Sequence, residues 1–187
     1  MTNSLIDMDI PTLIKQTRAK GANPGGGAIL ILISNLAINL TLMMDKNDWG
    51  DQEKLADVSR ETILKLSDRL SILMQDDVDY FALLMKAYKD GSINDQHYID
   101  ASKPLLDMID INIESMGVLG FYLRYGKKTT LTDGQIANDL LKTASLSALP
   151  TIKLNLGQFR EEESIRKKIE KLFQKNKLII ERRNKWH

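Results

Sequence analysis

Two aspartates and a run of glycines are the residues of this chain whose types and spacing could do chemistry. Asn23-Pro24-Gly25-Gly26-Gly27 opens directly onto an apolar segment, Ala28 to Met44, long enough for a buried helix. Without Cβ atoms, three glycines at a helix entrance leave backbone N–H groups approachable. The partial positive charge of the helix end adds to them, so the loop suits an anionic or polar ligand group. A flexible linker ahead of a core helix is the plainer alternative.

The first aspartate interrupts an apolar stripe. Ile63, Leu66, Leu70 and Leu73 advance by threes and fours, the next position is Asp77, and apolar character resumes at Phe81. A carboxylate in that place should face a cavity, a cation or a partner chain, because burying it unpaired costs several kcal/mol. A structural ion pair is the alternative. Asp76 and Asp79 fall off the stripe and read as solvated. The second aspartate is Asp133, in Thr130-Leu131-Thr132-Asp133-Gly134-Gln135. Thr132 and Gln135 fit a capping box, which leaves Asp133 in the first turn with its carboxylate free to face a cationic substrate. Service as the cap itself is the alternative.

Helices must position these groups. Apolar spacing predicts helices over about Ile10–Lys20, Ala28–Met44, Gln52–Tyr88, Asn94–Tyr125 with a kink at Pro104, Asp133–Leu149 and Glu161–Asn184. Trp49-Gly50-Asp51 reads as a turn, and Asp90-Gly91-Ser92 and Gly126 as stops. No run alternates with strand period, so the expectation is an all-α bundle of about six helices, two of them long and central, in one domain over residues 1–187. In the Ala28–Met44 segment, Ser34, Asn35, Asn39 and Thr41 argue for a buried helix of a soluble protein, at a subunit interface or in the core.

Composition removes several classes of function. There is no cysteine, and His97 and His187 are the only imidazoles, so no metal site, thiol nucleophile or Ser-His triad is expected. Lysine and arginine number 26 against 25 acids, and that balance points to neither nucleic acid nor an anionic membrane. The ten basic residues between Arg160 and Lys185 read as the solvated face of a helix. Residues Met1 to Pro11 carry acids and no basic leader region, so a cytoplasmic protein is expected.

The order of motifs resembles that of the formiminotetrahydrofolate cyclodeaminase and methenyltetrahydrofolate cyclohydrolase family. The residues that carry the resemblance are Pro24-Gly25-Gly26-Gly27 heading an apolar helix, Asp77 followed by Phe81, Lys103-Pro104-Leu105, Thr132-Asp133 opening a later helix, and Leu154-Asn155-Leu156 before a charged terminal helix. The resemblance implies an all-helical homodimer with no tightly bound cofactor and a folate site in a cleft bordered by the glycine loop. Its substrate would be a tetrahydrofolate derivative carrying a one-carbon unit. Asp133, in the position of the family's Ser-Asp motif, would be the first catalytic carboxylate and Asp77 the second. Pro24, Gly25, Gly26, Gly27, Lys46, Thr132 and Asn155 would contact substrate.

Three departures accompany these matches. Ala28 stands where the family usually has serine, the basic cluster after the apolar helix is reduced to Lys46 beside Trp49, and the family's paired asparagines survive as Thr151 and Asn155. Two functions therefore stay open: a folate one-carbon enzyme, or a non-catalytic relative that is a helical dimer binding a small molecule or a partner. A glycine loop packed shut would instead mark a plain helical scaffold.

Overall fold

The computed structural model describes residues 4–19 and 24–185. Lys20, Asn23 and His187, which the sequence reading used, lie outside them. Six helices follow one another: α1 (Ile10–Thr17), α2 (Gly26–Leu42), α3 (Glu53–Lys89), α4 (Asp95–Tyr125), α5 (Leu131–Leu156) and α6 (Glu162–Asn184). No strand occurs among the described residues. None of the helices described is long and apolar enough to cross a membrane.

Helices α2 to α5 form an up-and-down bundle whose register is set by buried polar contacts. Asn112 on α4 donates to Ser34 on α2 at 2.9 Å and to Ser145 on α5 at 3.1 Å, all three fully buried. Asn35 on α2 reaches the Ser67 carbonyl and the Ser71 hydroxyl of α3 at 3.2 and 3.0 Å. A one-residue slip of any of these helices would strand buried donors at a cost of about 1–3 kcal/mol each. Helix α6 lies outside against α4 and α5, where Asn176 donates to the Met116 carbonyl and to Asn138.

Helix α2 carries no charged residue and fills the bundle with Ile31, Ala37 and Ile38. Its other side leaves Leu36 59% and Met43 49% exposed. The polar face expected at Asn35 and Asn39 is present, and it pairs with the serines of α3.

Both ends of α5 and the buried side of α3 depart from expectation. α5 continues through Pro150 to Leu156, so Leu154-Asn155-Leu156 forms its last turn instead of a linker. The exposed Pro150 removes one backbone bond and leaves the rest of the ladder intact. The helix begins at Leu131 with Thr130 as its cap, and no Thr132–Gln135 capping box forms. Thr130 Oγ1 donates instead to the Met43 carbonyl at 3.1 Å, because the close of α2 offers a free acceptor there. Trp49, at the turn before α3, is buried, stacked on Phe121 at 5.0 Å and edge-on to Tyr122. Finally, the buried side of α3 runs through Met74, Val78 and Leu84, leaving Phe81 39% exposed.

Candidate functional site

The antiparallel order of α2 and α3, with α4 parallel to α2 and α5 opposed to both, divides the candidate residues between two ends of the bundle. At one end lie the glycine loop, Asp77, Lys103-Pro104-Leu105 and the close of α5 with Thr151 and Asn155. At the other, Gly134 packs against Met44 and Leu123, which puts Thr132, Asp133 and Lys46 together near the close of α2. The 17 residues of α2 separate the ends by about 25 Å, so within one chain Asp77 and Asp133 do not meet at one reacting atom.

The glycine end is built around Asp77. Gly25 caps α2 in an extended conformation with no side chain to accept the helix's first amides. The Asp77 carboxylate fills that role from α3, taking a hydrogen bond from the Ala28 amide. A Cβ at Gly27 would overlap the carboxylate, whereas one at Gly26 would meet nothing. Glycine at position 27 thus permits a close approach that any side chain would prevent. The loop is not shut, but its inner side already holds an anion, so what it offers a ligand is a carboxylate on a helix end. Ala28 turns its side chain into the core, leaving only its backbone in the site.

Burial pushes the Asp77 carboxyl up to about 6, against the pull of the Ala28 amide. It makes no ion pair with any described residue. A carboxyl of this kind exchanges its proton near neutral pH, which is the requirement for acid–base work. Next to it, Asp76 is half-buried where sequence reading had it solvated. Burial, then the neighbouring charge of Asp79, raise its pKa, with Lys103 opposing and Asp107 adding to the rise. Lys103 and Asp107 belong to α4, and only the α3–α4 register brings them to Asp76; no pattern within α3 carries that signal.

At the far end the charges are tied down. Asp45 accepts from Arg60 Nε at 2.6 Å, from Trp49 Nε1 at 2.9 Å and from the Lys46 amide. Burial raises its carboxyl, and Arg60 with Trp49 outweigh that and hold it below the usual range. Lys46 lies over the Trp49 ring, 4.6 Å from its centre. Arg183 of α6 donates to the carbonyls of Leu123 and Gly126 at 2.7 and 2.9 Å, closing the α4 terminus. Within this framework Asp133 is half-buried in the first turn of α5, with no side-chain hydrogen bond or ion pair to a described residue. No group of residues that could hold a metal ion occurs among the described residues.

The all-helical bundle is the architecture that comparison with known proteins returns. The formiminotransferase-cyclodeaminase family matches residues 9–175, and the chain belongs to that family. Among solved structures, the fold is similar to that of formiminotetrahydrofolate cyclodeaminase from Thermotoga maritima, with a TM-score of 0.86 and 21% identity over 94% of this chain and 97% of that one. No curated protein matches the chain in sequence.

Proposed function

We propose that the protein is a folate one-carbon enzyme, a methenyltetrahydrofolate cyclohydrolase or formiminotetrahydrofolate cyclodeaminase, working as a cytoplasmic homodimer with Asp77 as its acid–base group. Family membership supports the substrate class. The observation that carries the residue assignment is the Asp77 carboxyl, raised to about 6, unpaired, and resting on the Ala28 amide at the glycine loop.

Both reactions pass positive charge through a carbon held between two nitrogens, and a fixed carboxylate beside it lowers the energy of that charge. In deamination, N10 adds to the protonated formimino carbon. The carboxylate takes the N10 proton and hands it to the departing nitrogen, which leaves as ammonia and yields the methenyl cation. In hydrolysis, water adds to the methenyl carbon and gives a proton to the carboxylate. That proton goes to N5 as the carbon–N5 bond breaks, and the hydroxyl proton is released as the formyl carbonyl forms. Gly25, Gly26 and Gly27 would border the pterin through their backbone, with Pro24 fixing the loop and Asn155 beside it at the close of α5.

A second reading gives the carboxylate role to Asp133, supported by its half-buried side chain without a partner in the first turn of α5. Lys46 and Thr132 would then be its neighbours in the site. For the dimer, the support is α2: a helix without charge whose Leu36 and Met43 are left exposed calls for a covering surface, and a second copy would supply it. The test is to mix the protein with 5,10-methenyltetrahydrofolate and follow its ultraviolet absorbance, alongside ammonia release from the 5-formimino compound. Activity in neither assay would leave the non-catalytic relative as the better reading.

A further inference from the structure

At the glycine end, α4, the close of α5 and the start of α6 enclose a cleft of about 820 Å³. Its floor is apolar, from Ile113, Leu156, Phe159 and Ile165, and charges of both signs line it. Arg160 and Lys168 are the cations, and neither forms an ion pair with a described residue. Around them the charges of α6 are matched: Glu162 pairs with Arg166 and Lys153, and Glu163 with Lys167. Asp110 and Glu161 are the carboxylates of the lining. Read along the sequence, Arg160 and Lys168 belong to the solvated face of a charged helix; in the fold they border a cavity with an aromatic in its floor.

The cleft adjoins the Asp77 site around one helix. Leu106 and Asp110 line it from α4, and Asp107, about a quarter turn round the same helix, acts on Asp76. Leu156 in the floor directly follows Asn155. A tetrahydrofolate extends away from its pterin as an aminobenzoyl ring, then an amide, then a glutamate with two carboxylates.

Resting on the folate reading above, we propose that this cleft receives the aminobenzoyl-glutamate tail. The ring lies on the apolar floor against Phe159, the tail carboxylates meet Arg160 and Lys168, and Asp110 accepts from the amide N–H. Glu161 on the rim opposes the tail's charge and keeps binding modest. This supplies the cations that the short segment after α2 lacks, since Lys46 lies at the opposite end of the bundle, over Trp49.

The test uses the double variant R160Q/K168Q, whose exposed, unpaired side chains can change without disturbing the fold. Titration of p-aminobenzoylglutamate into wild type and variant should show binding weakened about tenfold or more, the effect of losing charge-assisted contacts to a carboxylate. With 5,10-methenyltetrahydrofolate, KM should rise by a similar factor with kcat unchanged, while the analogue lacking glutamate should give the same KM in both proteins. Equal binding of the probe and equal KM in the two proteins would overturn the assignment. A wild type inactive on every folate would overturn the proposed reaction instead, and the probe titration would still decide the cleft.

Discussion

The two ends of this bundle hold similar residue types to opposite effect. Near Trp49, an aspartate, an arginine and an indole N–H satisfy one another, and Arg183 ties α6 to the close of α4. Near the glycine loop, a more deeply buried aspartate has only a backbone amide, and burial raises its proton affinity. Asp45 is held charged by its partners; Asp77, buried without them, gains and loses its proton near pH 6. One end stabilises, and the other stores the cost of a half-buried carboxylate, as sites for proton transfer commonly do.

Removing the Asp77 charge should have the largest effect. Asp77→Asn keeps the shape and should lower turnover by roughly 100-fold or more. Its stability profile gives an independent reading. The folded pKa of about 6 lies above the ordinary 3.8, so the native state holds a proton that the unfolded chain has lost between those values. Stability from this group therefore falls as pH rises from about 4 to about 6, by roughly 2–3 kcal/mol at most. The difference in melting between wild type and Asp77→Asn should grow over that window in favour of the variant. A difference that is flat with pH would mean Asp77 is no more strained than the aspartates elsewhere.

The glycines sharpen the same contrast. Gly27→Ala puts a methyl where the carboxylate sits, and displacing that group by a fraction of an ångström to an ångström should cost roughly 10- to 100-fold in kcat. Gly26→Ala meets nothing in the fold, so any loss it causes must come from contact with substrate and should appear in KM. If the two variants behaved alike, the close seating of Asp77 would not matter to the reaction.

At the stapled end the expected effect is on stability. Asp45→Ala strands the Trp49 N–H and leaves Arg60 only its pair with Asp57, and should lower stability by roughly 1–2 kcal/mol. Turnover of the folded fraction should stay that of the wild type, as measured by active-site titration after a melt. A fall in turnover without a fall in melting temperature would move the chemistry to that end.

The asymmetry was partly legible in the amino-acid order. Helix periodicity found all six helices, because each buries a stripe whose spacing repeats over many residues. It also singled out Asp77, since a carboxylate in a run of leucines is a local anomaly. The stripe itself was traced one step wrong past Leu73: the buried side turns to Met74 and Val78, and Phe81 stays outside. Helix ends were less legible, because Thr130 was claimed by a carbonyl 87 residues away, which no local capping pattern encodes. Which residues share an end was illegible altogether. It depends on Asn112 meeting Ser34 and Ser145, and serine and asparagine within a helix carry no outward sign of their partners. Arg160 and Lys168 were similarly hidden, because a charged helix face and the rim of a cleft have the same composition.

The smallest effect is expected at Asp133, and it is the one that could undo the comparison. The family resemblance makes this residue the leading catalytic carboxylate; the fold sets it in the first turn of α5, behind Thr130, about 25 Å from Asp77 along the bundle. Asp133→Asn removes its interaction with the helix end and should cost a few tenths of a kcal/mol, with kcat/KM close to that of wild type. Both folate assays and a melt decide this on one preparation. A loss of turnover near 100-fold with unchanged melting would show that Asp133 reaches reacting atoms after all. Since Asp77 lies too far away within the chain to share that site, a loss in both single variants would require each site to be completed across a dimer interface. Mixing the two inactive variants would then be the direct check: a shared site is restored once in each heterodimer, so chance assortment returns about a quarter of wild-type activity to the whole mixture, and two separate sites regain none.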